Sequence, residues 1–180
     1  LVSDFAKNYF KKNLFEEEGK TIALSYLKER KFKNNIIEKF EIGYSAKIKD
    51  DFSKAAIDAG YKLNFLQKTG LTIVKGSENI DRFRGRVIFP IKSMSGRILG
   101  FGGRILGSSN NLAKYINSPE SLIYQKSKVL YGIFESKQSI VKNDNCFLVE
   151  GYTDVIKMHQ CGISNVVASS GTALTVNQIR

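Results

Sequence analysis

Hydrophobic positions over the first sixty residues recur three and four apart, the period of short amphipathic helices. Phe5, Tyr9 and Phe10 share a face of a segment that Ser3 is placed to cap, and Thr21 is placed to cap a second segment running through Ile22, Leu24, Tyr26 and Leu27 to Arg30. A third stripe, from Asn34 to Phe40, aligns Ile36, Ile37 and Phe40; Glu41 to Tyr44 then reads as extended, and Asp51 to Ala59 as a helix ended by Gly60. Aromatic residues on these faces are read as core.

From Asp81 the period becomes strand-like. Arg86 to Ile91 is a β-rich run, Ser93 to Gly96 supplies turn residues, and Arg97 to Arg104 runs back, which predicts an antiparallel hairpin. Pro90 is expected at an edge or strand end. Gly100, Gly102 and Gly103 sit inside a strand pattern and do not form a dinucleotide-binding fingerprint, so they predict a bend or a close backbone approach. Gly107 to Asn111 reads as a polar loop. In the last fifty residues a helix is expected over Leu130 to Val141, a buried strand over Cys146 to Val149, a helix over Asp154 to Gln160 and a second buried strand over Asn165 to Ala168. Strand, helix and strand make a βαβ unit of a parallel sheet, whose chemistry collects just past the strand ends. Those positions hold Glu150-Gly-Tyr-Thr-Asp154 and Ser169-Ser-Gly-Thr172.

Composition narrows the reading. Among 180 residues, 28 Lys and Arg stand against 17 Asp and Glu, a net charge of +11, and 42% are hydrophobic. No apolar run approaches the roughly 20 residues needed to cross a bilayer, and the pattern is that of a folded chain. The charge is uneven: net +4 over residues 1 to 80, +7 over 81 to 130 and zero over 131 to 180. The middle stretch is therefore either an anion-binding surface or a solvated basic face, and the cluster Arg82, Arg84, Arg86, Arg97, Arg104, Lys114, Lys126 and Lys128 favours the first. Alternation would put Arg82, Arg84 and Arg86 on one side of an extended segment. Cys146, Cys161 and the sole histidine, His159, are too few for a structural zinc site. Free thiols suit a reducing compartment, although two leave room for one disulfide.

Candidate chemistry follows from these placements. Glu150, at a strand mouth with Gly151 to turn the chain, is placed to bind a hard divalent cation, and equally to favour a helix N-terminus; the second reading applies at least as well to Asp154. Tyr115, with Lys114, Asn117 and Pro119 around it, is expected in a loop where an aromatic ring can stack on a base and a cation can meet phosphate.

Five ordered motifs then resemble those of bacterial DnaG-type DNA primases. They are Asp81-Arg-Phe-Arg-Gly-Arg-Val-Ile-Phe-Pro90, Gly96-Arg-Ile-Leu-Gly-Phe-Gly-Gly-Arg104, Lys114-Tyr-Ile-Asn-Ser-Pro-Glu120, Leu130-Tyr-Gly132 and Val149-Glu-Gly-Tyr-Thr-Asp-Val155. Tyr26-Leu-Lys-Glu-Arg30 and Phe40-Glu-Ile-Gly-Tyr44 extend the likeness to the helical start. The resemblance implies an α+β basic N-terminal subdomain over residues 1–128, with short helices and an antiparallel hairpin or sheet. Residues 129–180 would be the first βαβ portion of an α/β Toprim domain.

It further implies that Glu150 is the first Toprim carboxylate, catalytic and a ligand to magnesium or manganese, with partner aspartates beyond Arg180. Arg30, Arg82, Arg84, Arg104, Lys114, Tyr115, Asn117 and Lys126 would contact nucleotide or template, with Tyr152 and Asp154 in the first Toprim motif. Thr153 departs from the family, which often has a hydrophobic residue there. The implied activity is synthesis of short RNA primers on single-stranded DNA from nucleoside triphosphates, in the bacterial cytoplasm at the replication fork. Zinc would belong to an upstream domain and the replicative helicase to a C-terminal domain, neither in this chain. The missing initial Met and the stop inside the helix expected around Gln178 predict a piece of a longer protein, inactive by itself. Two alternatives remain open: a non-catalytic module binding single-stranded nucleic acid or nucleotide, and another Toprim enzyme, a topoisomerase or nuclease.

Overall fold

The computed structural model describes residues 1–107, 112–171 and 173–179. The polar loop expected over 107–111 therefore lies, beyond Gly107, outside the described residues, as do Thr172 of the second strand-end motif and Arg180.

The helical start is present, with its caps moved. Helix α1 spans Val2–Asn13, so Ser3 sits buried in its first turn instead of capping it. The second helical segment begins four residues before Thr21, on the acidic first turn of α2 (Glu17–Gly19), continues as a π-helical turn over Lys20–Leu24 and ends as α3 (Ser25–Glu29). Glu17 and Glu18 suit a helix N-terminus electrostatically, and Thr21, now inside the helix, donates its hydroxyl back to the Glu17 carbonyl at 2.9 Å. Helices α4 (Asn34–Lys39) and α5 (Asp51–Asp58) and strand β1 (Gly43–Ser45) fall where expected, with Gly60 at φ +86° closing α5.

Strand structure begins before Asp81. After α6 (Leu63–Lys68), β2 (Thr72–Lys75) and β3 (Glu78–Asp81) form a tight hairpin turning at Gly76, φ +57°. Residues 82–85 form a turn, so the expected alternation of Arg82, Arg84 and Arg86 along an extended segment does not occur. Gly85, at φ +68°, completes that turn and bonds back to Ser45 and Ala46 carbonyls. The hairpin predicted next is β4 (Arg86–Lys92) with β5 (Ile98–Ile105); with β6 (Tyr115–Asn117) the sheet order is β1-β4-β5-β6, all antiparallel. Pro90 lies beyond the Arg86 to Ile88 stretch paired with β1, where among the described residues β4 has only β5 beside it, which fits the expected edge position.

Both faces of this sheet are covered. Ile88, Ile98 and Phe101 pack with Phe10, Phe52 and Leu66 of the helical layer, while Val87, Phe89 and Ile91 on the opposite face pack with Leu27, Ile37, Tyr131, Tyr152, Val155 and Val166. Strand β4 is consequently buried along its whole length. Its second face is also the floor for the C-terminal unit: α7 (Ile133–Asn143), β7 (Phe147–Val149), α8 (Tyr152–Gln160), β8 (Val166–Ala168) and the short α9 (Val176–Ile179). Strands β7 and β8 are parallel, confirming the βαβ unit.

One expectation for that unit is corrected. β8 is buried, but Phe147 and Leu148 of β7 are 50% and 47% exposed, because α7 and α8 pack over β8 and leave β7 outside. The joint between the two parts is polar as well as apolar. Lys92, 7% exposed, places its ammonium 2.8 Å from Glu41 and 2.7 Å from Glu135 of α7, and Lys7 also reaches Glu41 at 2.8 Å. Burial works against the charges of Glu41 and Lys92, yet the opposite partners win, lowering the Glu41 pKa and raising that of Lys92.

Candidate functional site

Three glycines of β5 decide how the site is seated. A Cβ on Gly102 would lie 2.4 Å from Tyr152 Cε2, one on Gly103 2.6 Å from Phe83, and one on Gly100 3.0 Å from Ser118. The close approach expected at these glycines is therefore made by side chains, chiefly the Tyr152 ring lying across the strand. Tyr152, the first residue of α8, is 3% exposed, stacked on Phe89 at 5.3 Å and edge-on to Tyr131 at 4.6 Å. Burial pushes its phenol pKa far up, so the hydroxyl stays neutral and serves as a hydrogen-bonding group.

That hydroxyl meets the side-chain amide of Asn117, on β6 (Tyr115–Asn117), which is a paired strand where a loop was expected. Strand β6 pairs antiparallel with Gly102, Gly103 and Arg104 of β5. In the orientation that satisfies both ends of the Asn117 amide, its nitrogen donates to Tyr152 and to the Ile116 carbonyl. Its oxygen then accepts from Lys126 Nζ at 3.3 Å. Lys126 stands on a 3-10 turn, Lys126–Lys128, and the Asn117 carbonyl also accepts from Arg82 Nε at 3.4 Å. Arg82, Asn117, Lys126 and Tyr152, up to seventy residues apart in the chain, thus form one contact network.

Arg104 lies beneath it. The residue is 8% exposed, donates from Nη1 to the Tyr115 hydroxyl, and sits with its Cζ 5.1 Å from the ring centres of both Tyr115 and Tyr26. Arg30, exposed at the end of α3, has its Cζ 5.1 Å from the same Tyr26 ring. Arg86, of the basic cluster, is buried and spends Nη1 on the carbonyls of Gly103, Ala113 and Lys114, bracing β5 against the residues before β6.

Glu150 is exposed directly after β7 and shares a cavity of about 310 Å³ with Tyr115, Asn117, Tyr152, Asp154, Ser170 and Gly171. Gly151 between them is extended, φ −129°, so it is not the sharp glycine turn expected there; its N–H donates to the Asp154 carboxylate at 3.1 Å. Asp154 therefore serves as a helix N-terminal cap in α8, one of the two roles its position allows. A second cavity of about 230 Å³ is lined by Arg82, Arg84 and Arg86 with Lys75, so the turn brings the three arginines together even without alternation. Lys114 precedes β6 with an exposed side chain. A larger cavity of about 780 Å³ is lined by Glu16, Glu17, Glu18 and Asp51 and by none of the expected site residues; its carboxylates repel anions.

As a cation site the cavity is partial. Glu150 supplies a hard oxygen donor open to solvent, of the type magnesium takes. Among the described residues, however, no three metal-ligating side chains converge there or elsewhere. Sequence reasoning also passed over Tyr26, Tyr131 and Phe89, which hold Arg104 and Tyr152 in place. The spacing of Tyr26 and Arg30, four apart on one helix face, was the available signal for the first of these.

The architecture is thus an α+β core with a basic, tyrosine-lined face, joined to a parallel βαβ unit that carries a carboxylate past its first strand. The family model for the DNA primase catalytic core, N-terminal domain, matches residues 9–137, and that for a Toprim domain matches residues 144–180. The chain belongs to the DNA primase catalytic core family. A DNA primase of Halalkalibacterium halodurans is 40% identical over 99% of this chain, which spans 30% of that protein's length. The RNA polymerase domain of Mycobacterium tuberculosis primase DnaG superposes with a TM-score of 0.93 at 35% identity, over 99% of this chain and 58% of that one. A DnaG primase catalytic domain solved bound to single-stranded DNA superposes with a TM-score of 0.89 at 36% identity, over 99% of this chain and 56% of its own. No helix among the described residues is long and apolar enough to cross a membrane.

Proposed function

We propose that this chain is the template- and nucleotide-handling part of a DNA-directed RNA polymerase that makes short RNA primers on single-stranded DNA. The observation that carries the reading is the convergence of Glu150 with Tyr115, Asn117 and Tyr152 on one cavity, bounded through Asn117 by Arg82 and Lys126. Membership of the primase core family and the likeness to a DNA-bound relative support it.

In this reading the basic face holds anions and Glu150 holds one side of a divalent cation. Exposed Arg84 and Lys114, with Arg82 and Lys126, carry template phosphates or the triphosphate, and Tyr115 presents a ring to a base or sugar. Magnesium or manganese, when bound, would supply charge neutralisation on the phosphates and activation of the attacking hydroxyl. Glu150 is one ligand to it; the others belong to the remainder of a protein of the relatives' length, so the 180-residue chain alone makes no primers. We divide the chain at 128/129, after the Lys126–Lys128 turn, because Tyr131 already exchanges two hydrogen bonds with Ala168 of β8 and so belongs with the Toprim unit. We assign the protein to the bacterial cytoplasm.

The test is fluorescence anisotropy of a single-stranded oligonucleotide with this chain across a salt series. Wild type should bind with affinity falling steeply with salt. Lys114→Ala and Lys126→Ala should each weaken binding and flatten the slope of log K against log salt by about 0.7, the value for one phosphate contact on a single strand. Binding that ignores salt, or slopes unchanged in both variants, contradicts the assignment.

A further inference from the structure

Tyr26 reads as one more core aromatic, and its hydroxyl is buried with no hydrogen-bond partner among the described residues. Its ring is placed differently. The Arg104 guanidinium lies between two rings, 5.1 Å from the centre of Tyr26 and 5.1 Å from that of Tyr115, while its Nη1 donates to the Tyr115 hydroxyl. No carboxylate among the described residues pairs with it, and its Nε is buried without a partner. A guanidinium that is 8% exposed and unpaired by an anion has to be stabilised some other way, and the faces of two tyrosines provide it.

The helix is built to deliver that ring. The π-helical turn over Lys20–Leu24 inserts one residue relative to an α-helix, marked by the backbone N–H of Ser25 donating to the Lys20 carbonyl five residues back. An inserted residue rotates the following turn by about 100°. That following turn is α3, which carries Tyr26 and is followed directly by Arg30, whose Cζ lies 5.1 Å from the centre of the same ring.

We infer that Tyr26 is a positioning residue: its ring holds the Arg104 guanidinium against Tyr115, and so fixes the Tyr115 ring at the edge of the Glu150 cavity. The clamp itself stands on geometry. Its effect on binding rests on the template and nucleotide face proposed above.

The experiment uses the whole chain, with ¹⁵N NMR of the arginine guanidinium groups and oligonucleotide anisotropy run on the same samples. In wild type the clamped Arg104 should show slowed rotation of its Nη groups. Tyr26→Leu should release that rotation and weaken single-stranded DNA binding about 3- to 10-fold, the range expected for loss of one cation–π contact. Tyr26→Phe, which keeps the ring and drops only the unpartnered hydroxyl, should restore both readouts. Arg104→Lys keeps the charge but loses the planar fork, so it should weaken binding as Tyr26→Leu does, with no further loss in the double variant. Unchanged Arg104 rotation in Tyr26→Leu, a Tyr26→Phe as weak as Tyr26→Leu, or additive losses in the double variant overturns the clamp. If wild type binds no DNA while Arg104 is still released in Tyr26→Leu, the clamp stands and the proposed binding face fails.

Discussion

Gly102→Ala tests how the site is seated. The added methyl would lie 2.4, 2.5 and 2.7 Å from Cε2, Cζ and the hydroxyl oxygen of Tyr152, and that ring has little room to retreat, being stacked on Phe89 and held edge-on by Tyr131. Overpacking of this kind costs about 1–3 kcal/mol, and contact with a rigid ring favours the upper end. Replacing glycine in a strand returns roughly 0.5–1 kcal/mol through the unfolded chain. The net loss is then about 2 kcal/mol, which for a chain of this length lowers Tm by about 4–8 °C. Thermal and urea unfolding followed by circular dichroism measures it. The same substitution in a Tyr152→Ala background meets no ring and should be neutral or slightly stabilising, so the cycle isolates the contact. A Gly102→Ala protein as stable as wild type, or an equal loss in both backgrounds, refutes the argument that Gly102 exists to admit Tyr152.

His159, the sole histidine, offers a single resonance to follow. Ser136 Oγ donates to the Val166 carbonyl at 2.7 Å and so accepts from His159 Nε2 at 2.9 Å, while Nδ1 faces Lys39 Nζ at 3.2 Å. Burial and then Lys39 press its pKa down to about 4. Its depressed folded pKa means that the unfolded chain binds the extra proton first. The group leaves stability unchanged above pH 6.5 and costs the fold about 3 kcal/mol as pH falls from 6.5 towards 4. An NMR midpoint near 4 is expected, and one between 6 and 7 contradicts the buried neutral form. Asp81 works the other way: burial lifts its carboxyl to about 6 even though Phe52 N–H, Ser53 N–H and the Ser53 hydroxyl all donate to it, so global stability curves mix the two groups. Lys92→Met leaves Glu135 buried without its partner and should cost about 3 kcal/mol in urea unfolding, against less than about 1 kcal/mol for the more exposed Lys7→Met; equal small effects would refute a buried joint.

Periodicity located the elements that are long or regular, and it failed where tertiary contacts decide. α4, α5, the β4–β5 hairpin and the βαβ unit were legible because apolar positions repeat at the period of the element. The caps were not, since Ser3 and Thr21 are capable residues that the chain uses inside helices once Glu17 and Glu18 open the second one. The β2–β3 hairpin went unread because four-residue strands carry too little alternation. Exposure of β7 was illegible for a different reason: Cys146 to Val149 is an apolar run whichever side of the sheet is covered. Of the site, residue types and order pointed to Glu150 and the basic cluster. The grouping of Arg82, Asn117, Lys126 and Tyr152 depends on β6 pairing with a glycine-rich strand, and the clamp on Arg104 depends on a π turn that leaves no mark in hydrophobic pattern.

The most direct test of the proposed function is templated ribonucleotide incorporation on single-stranded DNA. It is measured with a protein of the relatives' full length containing this chain, as wild type and as Glu150→Gln. Wild type should synthesise primers and Glu150→Gln should lose at least about 100-fold, the scale expected when a group stabilising transition-state charge is removed. Single-stranded DNA affinity and Tm should stay unchanged, because Glu150 is exposed. Wild-type rates from Glu150→Gln, or no templated incorporation by the wild-type protein with magnesium or manganese supplied, would contradict the proposed function.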